Sequence, residues 1–226
     1  GDAGGDGLQA ALVAAGVRRR RRLGRRHPRH APESRHGQAA LDYMRGRGFT
    51  DETIATHQLG WAPGGWDTMS WAEPGSHVVA WHKWKLGWLE PTELTCLDRP
   101  GELTATLSPL AVPGGLKAIV VPTGPSTAYV FEARKRVGRD SRLCSDGVLV
   151  YTVDATVRTG RGPIRIRAAK PDRKQALVER CGLLYDAPFD RGAGQVPHFH
   201  DHATGLSLRV LGPTASGGYR VRVRRA

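Results

Sequence analysis

The chain predicts an α+β, mainly β fold: an antiparallel β-sandwich or jelly-roll-like C-terminal domain over residues 91–226, preceded by short helices and a disordered basic arm. Seven segments carry the expectation: LTATLSPL, LKAIVVPT, STAYVFEARK, GVLVYTVDA, IRIRAA, LSLRVLG and YRVRVR. Each alternates or runs apolar with β-branched residues, as strands do. Gly/Pro turns divide them at roughly 8–15 residues, a spacing typical of sandwiches and jelly rolls. A third observation lies in front of them. All six tryptophans fall between Trp61 and Trp88. Trp is large and its buried indole N–H needs a partner, so the crowding marks a packed joint.

The 226 residues suffice for one medium domain or two small ones. With 39% hydrophobic and 24% charged residues, most of the chain is expected to fold. The net charge of +13 is uneven: residues 1–36 hold nine arginines against Asp2, Asp6 and Glu33, a net +6. Such a balance speaks first to solubility and non-specific binding. The longest apolar stretch, Leu8–Val17, is too short to cross a bilayer, so no membrane partner is expected. The basic run follows that stretch, the reverse of a secretory signal, so no signal peptide is expected in this chain. Cys96, Cys144 and Cys181 include no CxxC pair, which argues against a cysteine-based zinc site. Two states remain open for them: a Cys144–Cys181 disulfide with one free thiol, or three buried reduced thiols.

Residues 1–37 read as the arm. The block Arg18–Arg22, Arg25, Arg26, His27, Arg29 and His30 repels itself and resists packing. A nucleic-acid role would rest on counterion release at phosphates. No aromatic residue interleaves these arginines, so base stacking is not indicated.

Residues 38–65 read as a helical hairpin. Ala39, Ala40, Tyr43 and Met44 share a helix face, and Gly46 and Gly48 stop it. Thr50 then caps a second short helix, with Asp51 and Glu52 at its positive end. The stretch ALDYMRGRGFTDETIATHQLGWAPGGWD resembles a segment of bacterial DNA primase. In that family it lies between the zinc-binding domain and the catalytic core. The zinc ligands and acidic metal centre of primase are not present around it here, so the resemblance implies a borrowed hairpin without RNA synthesis.

Residues 66–90 form the Trp-rich unit. It contains Trp66-Asp67-Thr68-Met69-Ser70, a Gly/Pro loop, and SHVVAWHKWKLGWLE, read as a helix carrying His77, His82 and three Trp. This pattern resembles the M6 (immune-inhibitor-A-like) secreted zinc metalloproteases. There a W-D-x-M-S turn passes under the zinc site and a helix ends in K-x-x-LGWL, here Lys83 to Leu89. The resemblance continues through Tyr129 to Arg134 and Gly147 to Asp154, the family's "E-x-R" and "G-hydrophobic-hydrophobic-x-x-V-D" strands. It implies a catalytic-domain end over 66–90, a β-sandwich over 91–226, secretion, a zinc cofactor in the parent family, and a protein or peptide substrate. The two resemblances meet at Gly64-Gly65-Trp66-Asp67, so the chain reads as a chimera.

Zinc peptidases of this kind need HExxH on a helix, where two His bind the metal and the Glu polarises water. No HExxH occurs in this sequence. No catalytic residue is therefore intact, no zinc is expected at a catalytic site, and the chain is expected to be inactive. Asp67, Met69 and His77 remain as the wall of the former site. His77 and His82, five apart, would diverge by about 140° on a helix and make no metal pair. The remaining metal candidates are His198, His200 and His202, which point one way if extended, although the segment reads as an exposed loop. Glu132 and Arg134 share a strand face, and an ion pair is the ordinary reading. Two other functions compete: a non-catalytic β-sandwich module for protein or carbohydrate, and nucleic-acid binding through the arm and hairpin.

Overall fold

The computed structural model describes residues 45, 50, 66–67, 76–157, 162–170, 184 and 186–226. The arm, most of the primase-like hairpin, Met69 and Cys181 lie outside the described residues. The fold is mainly β, as the sequence predicts.

Among the described residues, nine strands make two sheets. In chain order they are β1 (Leu94–Cys96), β2 (Gly101–Leu107), β3 (Ala118–Pro122), β4 (Thr127–Arg134), β5 (Gly147–Asp154), β6 (Ile164–Ile166), β7 (His198–Asp201), β8 (Leu206–Pro213) and β9 (Tyr219–Arg225). A short helix, α1 (Ala80–Lys85), precedes them. The inner sheet has the order β1-β3-β4-β5-β6, and the outer sheet β2-β9-β8-β7. These strands pair antiparallel except for β1 with β3.

The seven strand-like segments of the sequence all form strands. Two further strands stand outside those segments. One is the three-residue β1, too short to show a pattern. The other is β7: the His198–Asp201 segment is an edge strand paired with β8 and not a loop.

The inner sheet is covered on both faces. One face of β3, β4 and β5, through Ile119, Val121, Tyr129, Phe131, Val148 and Val150, packs against Leu107, Leu206, Leu208, Val210, Val221 and Val223 of the outer sheet. The opposite face, through Ala118, Val120, Ala128, Val130, Leu149 and Tyr151, packs against Trp66, Val79, Ala80 and Leu89. The molecule is thus three layers, α1 segment, inner sheet and outer sheet, where the sequence suggests two. The strand sequences reflect this. AIVV, YVF and GVLVY are continuously apolar because neither face meets water, whereas YRVRVR alternates because one face does.

Gly147 opens β5 opposite Arg134 with φ +141°, a backbone state that favours glycine. A Cβ there would meet Pro188 Cβ at 2.7 Å and the Phe189 carbonyl oxygen at 2.8 Å. Phe189 is held in place by its own bridge to Val148. Gly147→Ala is therefore expected to destabilise the fold by about 2 kcal/mol or more, from strain and overpacking together. Urea denaturation of the two proteins checks this.

Candidate functional site

Asp67, Glu132 and Arg134, marked in the sequence, converge beneath α1. Helix α1 has no side-chain N-cap, since Val79 occupies that position. Its first amides are satisfied from the inner sheet. The Ala80 amide donates to Glu132 Oε2 at 2.6 Å, and the Trp81 amide donates to the Tyr151 hydroxyl at 3.1 Å. That hydroxyl in turn donates to Glu132 Oε2 at 2.8 Å. A carboxylate at the positive end of a helix is also favoured electrostatically.

Glu132 stands two residues from Arg134 on one face of β4, and both are fully buried. Arg134 Nη1 donates to Glu132 Oε1 at 3.0 Å. On its other side Arg134 meets Asp140, also fully buried: Nη2 donates to Oδ1 at 3.2 Å, and Nε lies 3.1 Å from Oδ2. Asp140 is brought there by a 3₁₀ turn, Gly138–Asp140. The same groups hold the irregular segment leading into α1. The His77 amide donates to Asp140 Oδ1 at 2.7 Å, and Arg134 Nη2 donates to the His77 carbonyl at 3.3 Å.

Asp67 extends the network. Its Oδ2 accepts the Val79 amide at 3.4 Å and lies 2.7 Å from His82 Nδ1, with both side chains essentially buried. His82 Nε2 is enclosed and has no hydrogen-bond partner among the described residues. An Asp–His pair of this geometry fixes the imidazole tautomer, as in many active sites. Enclosed in this way, it ties Asp67 to α1.

Burial decides the titration of these groups. It pushes the Glu132 carboxyl above the ordinary range by more than the adjacent guanidinium and three hydrogen bonds lower it. The Tyr151 hydroxyl is raised well above its usual value, first by burial and then by the Glu132 charge. Arg134 is held more firmly protonated, because Asp140 and Glu132 together outweigh the cost of its burial. His77 is lowered to about 4 by burial and by the Lys83 charge.

The motif ending α1 has a backbone explanation. Gly87 takes φ +71°. Its amide donates to the Trp84 carbonyl at 3.0 Å, and the Trp88 amide donates to the Lys83 carbonyl at 2.8 Å. This is a Schellman cap, which requires the left-handed residue that glycine supplies.

The tryptophans divide by position. Trp66 is 2% exposed and its indole N–H donates to the Leu184 carbonyl at 2.8 Å. Trp81 and Trp84 meet edge to face with centroids 5.2 Å apart, and Lys85 Nζ lies 4.8 and 4.2 Å from their rings. Trp88 is 46% exposed and so does not fill the joint. Trp61 and Trp71 lie outside the described residues.

The other candidates from the sequence find these places. His77 precedes α1, so His77 and His82 do not share a helix. His198 and His200 lie exposed on one face of β7. His200 Nδ1 is 3.4 Å from Nε2 of His202, which follows the strand. Among the described residues, no group of three or more His, Cys, Asp or Glu is placed to hold a metal ion. Cys144 is disulfide-bonded and Cys96 carries a free thiol. Asp140 joins the network without any motif to mark it, and Tyr151 stands in the Gly147–Asp154 strand without being singled out there. The available signal is Glu132 and Arg134 themselves, two charges in a strand apolar on both faces.

No family model matches the chain. A 28-residue stretch is 71% identical to DNA primase of Deinococcus radiodurans, covering 12% of this chain and 5% of that protein. The chain therefore shares a short segment with primase and spans only a small fraction of its length.

Two expectations follow. Arg134→Met strands two buried carboxylates and should destabilise the fold by about 3–5 kcal/mol, read by chemical denaturation. His77 binds a proton at about 6.5 when unfolded and only at about 4 when folded, so the unfolded state holds more protons in between. The contribution of His77 to stability is thus complete above about pH 6.5 and falls as pH drops towards 4. The stability difference between wild type and His77→Gln should shrink across that window, while the carboxylates common to both proteins cancel.

Proposed function

We propose that residues 66–226 are the structural end of an M6-like secreted zinc metalloprotease, its last catalytic-domain helix and following β-sandwich, and that this chain does not itself hydrolyse peptides. One observation carries the reading. Several described residues of the resemblance, Asp67, Lys83, Gly87, Glu132 and Arg134, hold the same helix in place. Asp67 of the W-D-x-M-S turn holds His82 and the Val79 amide. Lys83, which opens the K-x-x-LGWL motif, donates to the Leu110 carbonyl at 3.3 Å, and Gly87 supplies the helix cap. Glu132 and Arg134 of the E-x-R strand receive the start of the helix. Asp67, α1 and β4, distant in sequence, thus fit one another as parts of a single design.

Zinc, the parent family's cofactor, does not fit the residues present. HExxH is absent from the sequence. Asp67 and His82 are enclosed and bonded to each other, and among the described residues no group of three or more His, Cys, Asp or Glu is placed to hold a metal ion. The disulfide at Cys144 agrees with an oxidising, extracytoplasmic destination.

The full chain, dialysed and assayed for zinc and for casein cleavage, is expected to hold no stoichiometric zinc and to release no peptides. Stoichiometric zinc with cleavage blocked by a chelator would overturn the proposal.

A further inference from the structure

The outward face of the outer sheet carries an ordered array of cations. Arg220, Arg222 and Arg224 project from β9 on the side opposite the core, each exposed. Along a strand such residues stand about 7 Å apart. The register sets further groups beside them. Arg209 of β8 is directly opposite Arg222, and His198 of β7 is directly opposite Arg209. Thr104 of β2 completes that row across all four strands. The next row is His200, Ser207, Arg224 and Glu102.

The Arg209–Arg222 pair is costly for the fold alone, since like charges directly opposite one another destabilise a sheet. One acid relieves it: Glu102 Oε1 lies 3.3 Å from Arg222 Nε, with both side chains about half exposed. Arg209, Arg220 and Arg224 have no acidic side chain in ion-pair contact among the described residues. An anion bridging the two opposed guanidinium groups would remove the repulsion, and guanidinium binds sulfate and carboxylate through paired hydrogen bonds.

We propose that this face binds a linear anionic polysaccharide, with sulfate or carboxylate groups on Arg209, Arg220, Arg222 and Arg224. Sugar hydroxyls then meet Thr104, Thr106 and Ser207, which share the face. Nucleic acid fits less well. Among the described residues, no aromatic side chain lies between these arginines for bases to stack on, because Phe199 turns inward against Tyr129 and Phe189. A flat sheet face also presents no element that enters a groove. The Cys144 disulfide favours a compartment where acidic glycans are the common polyanions. The inference rests on reading the sandwich as a non-catalytic binding module and on no part of the zinc-peptidase lineage.

The test uses the full chain, with heparin as probe and neutral dextran and a short DNA duplex as comparators. Arg209→Ser/Arg222→Ser is expected to weaken heparin binding tenfold or more and to flatten its salt dependence. Replacing Arg18–Arg22 with serine is expected to change it less than twofold. The paired variant loses the exposed Glu102–Arg222 contact together with the Arg209–Arg222 repulsion, so its melting temperature is expected to change little. In wild type, heparin should also shield the four face arginines from phenylglyoxal, mapped by mass spectrometry, which needs no variant to fold. Heparin binding unaffected by the face variant, lost with the arm, or leaving the four arginines unshielded would overturn the proposal. So would DNA displacing heparin from this face at lower concentration. Dextran held by the face would overturn the anionic class while keeping the module reading, and no binding to any probe would overturn both.

Discussion

Glu132, a carboxylate with no contact with water, holds the helical layer to the sheets. Its oxygens receive an amide from α1, the Tyr151 hydroxyl and the Arg134 guanidinium. Arg134 passes the connection to Asp140, and Asp140 to the segment before the helix. A buried charge of this kind stabilises only when every partner is in place, because removing one leaves another uncompensated. The network therefore specifies one seating of α1 on the inner sheet. An apolar contact alone would tolerate several.

The requirement arises from the shortness of α1. Six residues cannot satisfy most of their own amides, and a helix this short is not stable by itself. Trp66, Val79, Ala80 and Leu89 supply apolar burial, but burial is non-directional. Direction comes from Glu132, Tyr151 and Asp67 at one end and from the Gly87 cap at the other. The Trp-rich segment is thus tied to the sandwich as one structure.

Much of the fold is legible in the sequence because strand patterns report their surroundings. YRVRVR announces one wet face, and the seven patterned segments all form strands. The third layer is less legible. The apolar runs AIVV and GVLVY imply covering on both faces but do not say by what. At the site, Asp67 and Glu132–Arg134 are visible as motif residues, and their burial is not. Spacing places Glu132 and Arg134 on one face and gives no depth. Asp140 comes from a turn between strands, so only the tertiary fold brings it to Arg134. β7 reads as a loop because Pro197 and Ala203-Thr204-Gly205 bracket it, and its pairing with β8 makes it a strand.

The order of the outer sheet has a consequence for how the molecule is made. Among the described residues strand β2 pairs with β9 alone, where Leu107 meets Tyr219 and Leu103 meets Val223. All of the inner sheet but β1 lies between them in the chain. During synthesis the edge of β2 stays unpaired until the β8–β9 hairpin emerges and lies beside it. Such distant pairing slows folding and leaves an edge open to wrong partners. The sparse apolar content of β2, with Glu102, Thr104 and Thr106 facing outward, keeps that waiting strand polar on one side and limits its appeal to other chains.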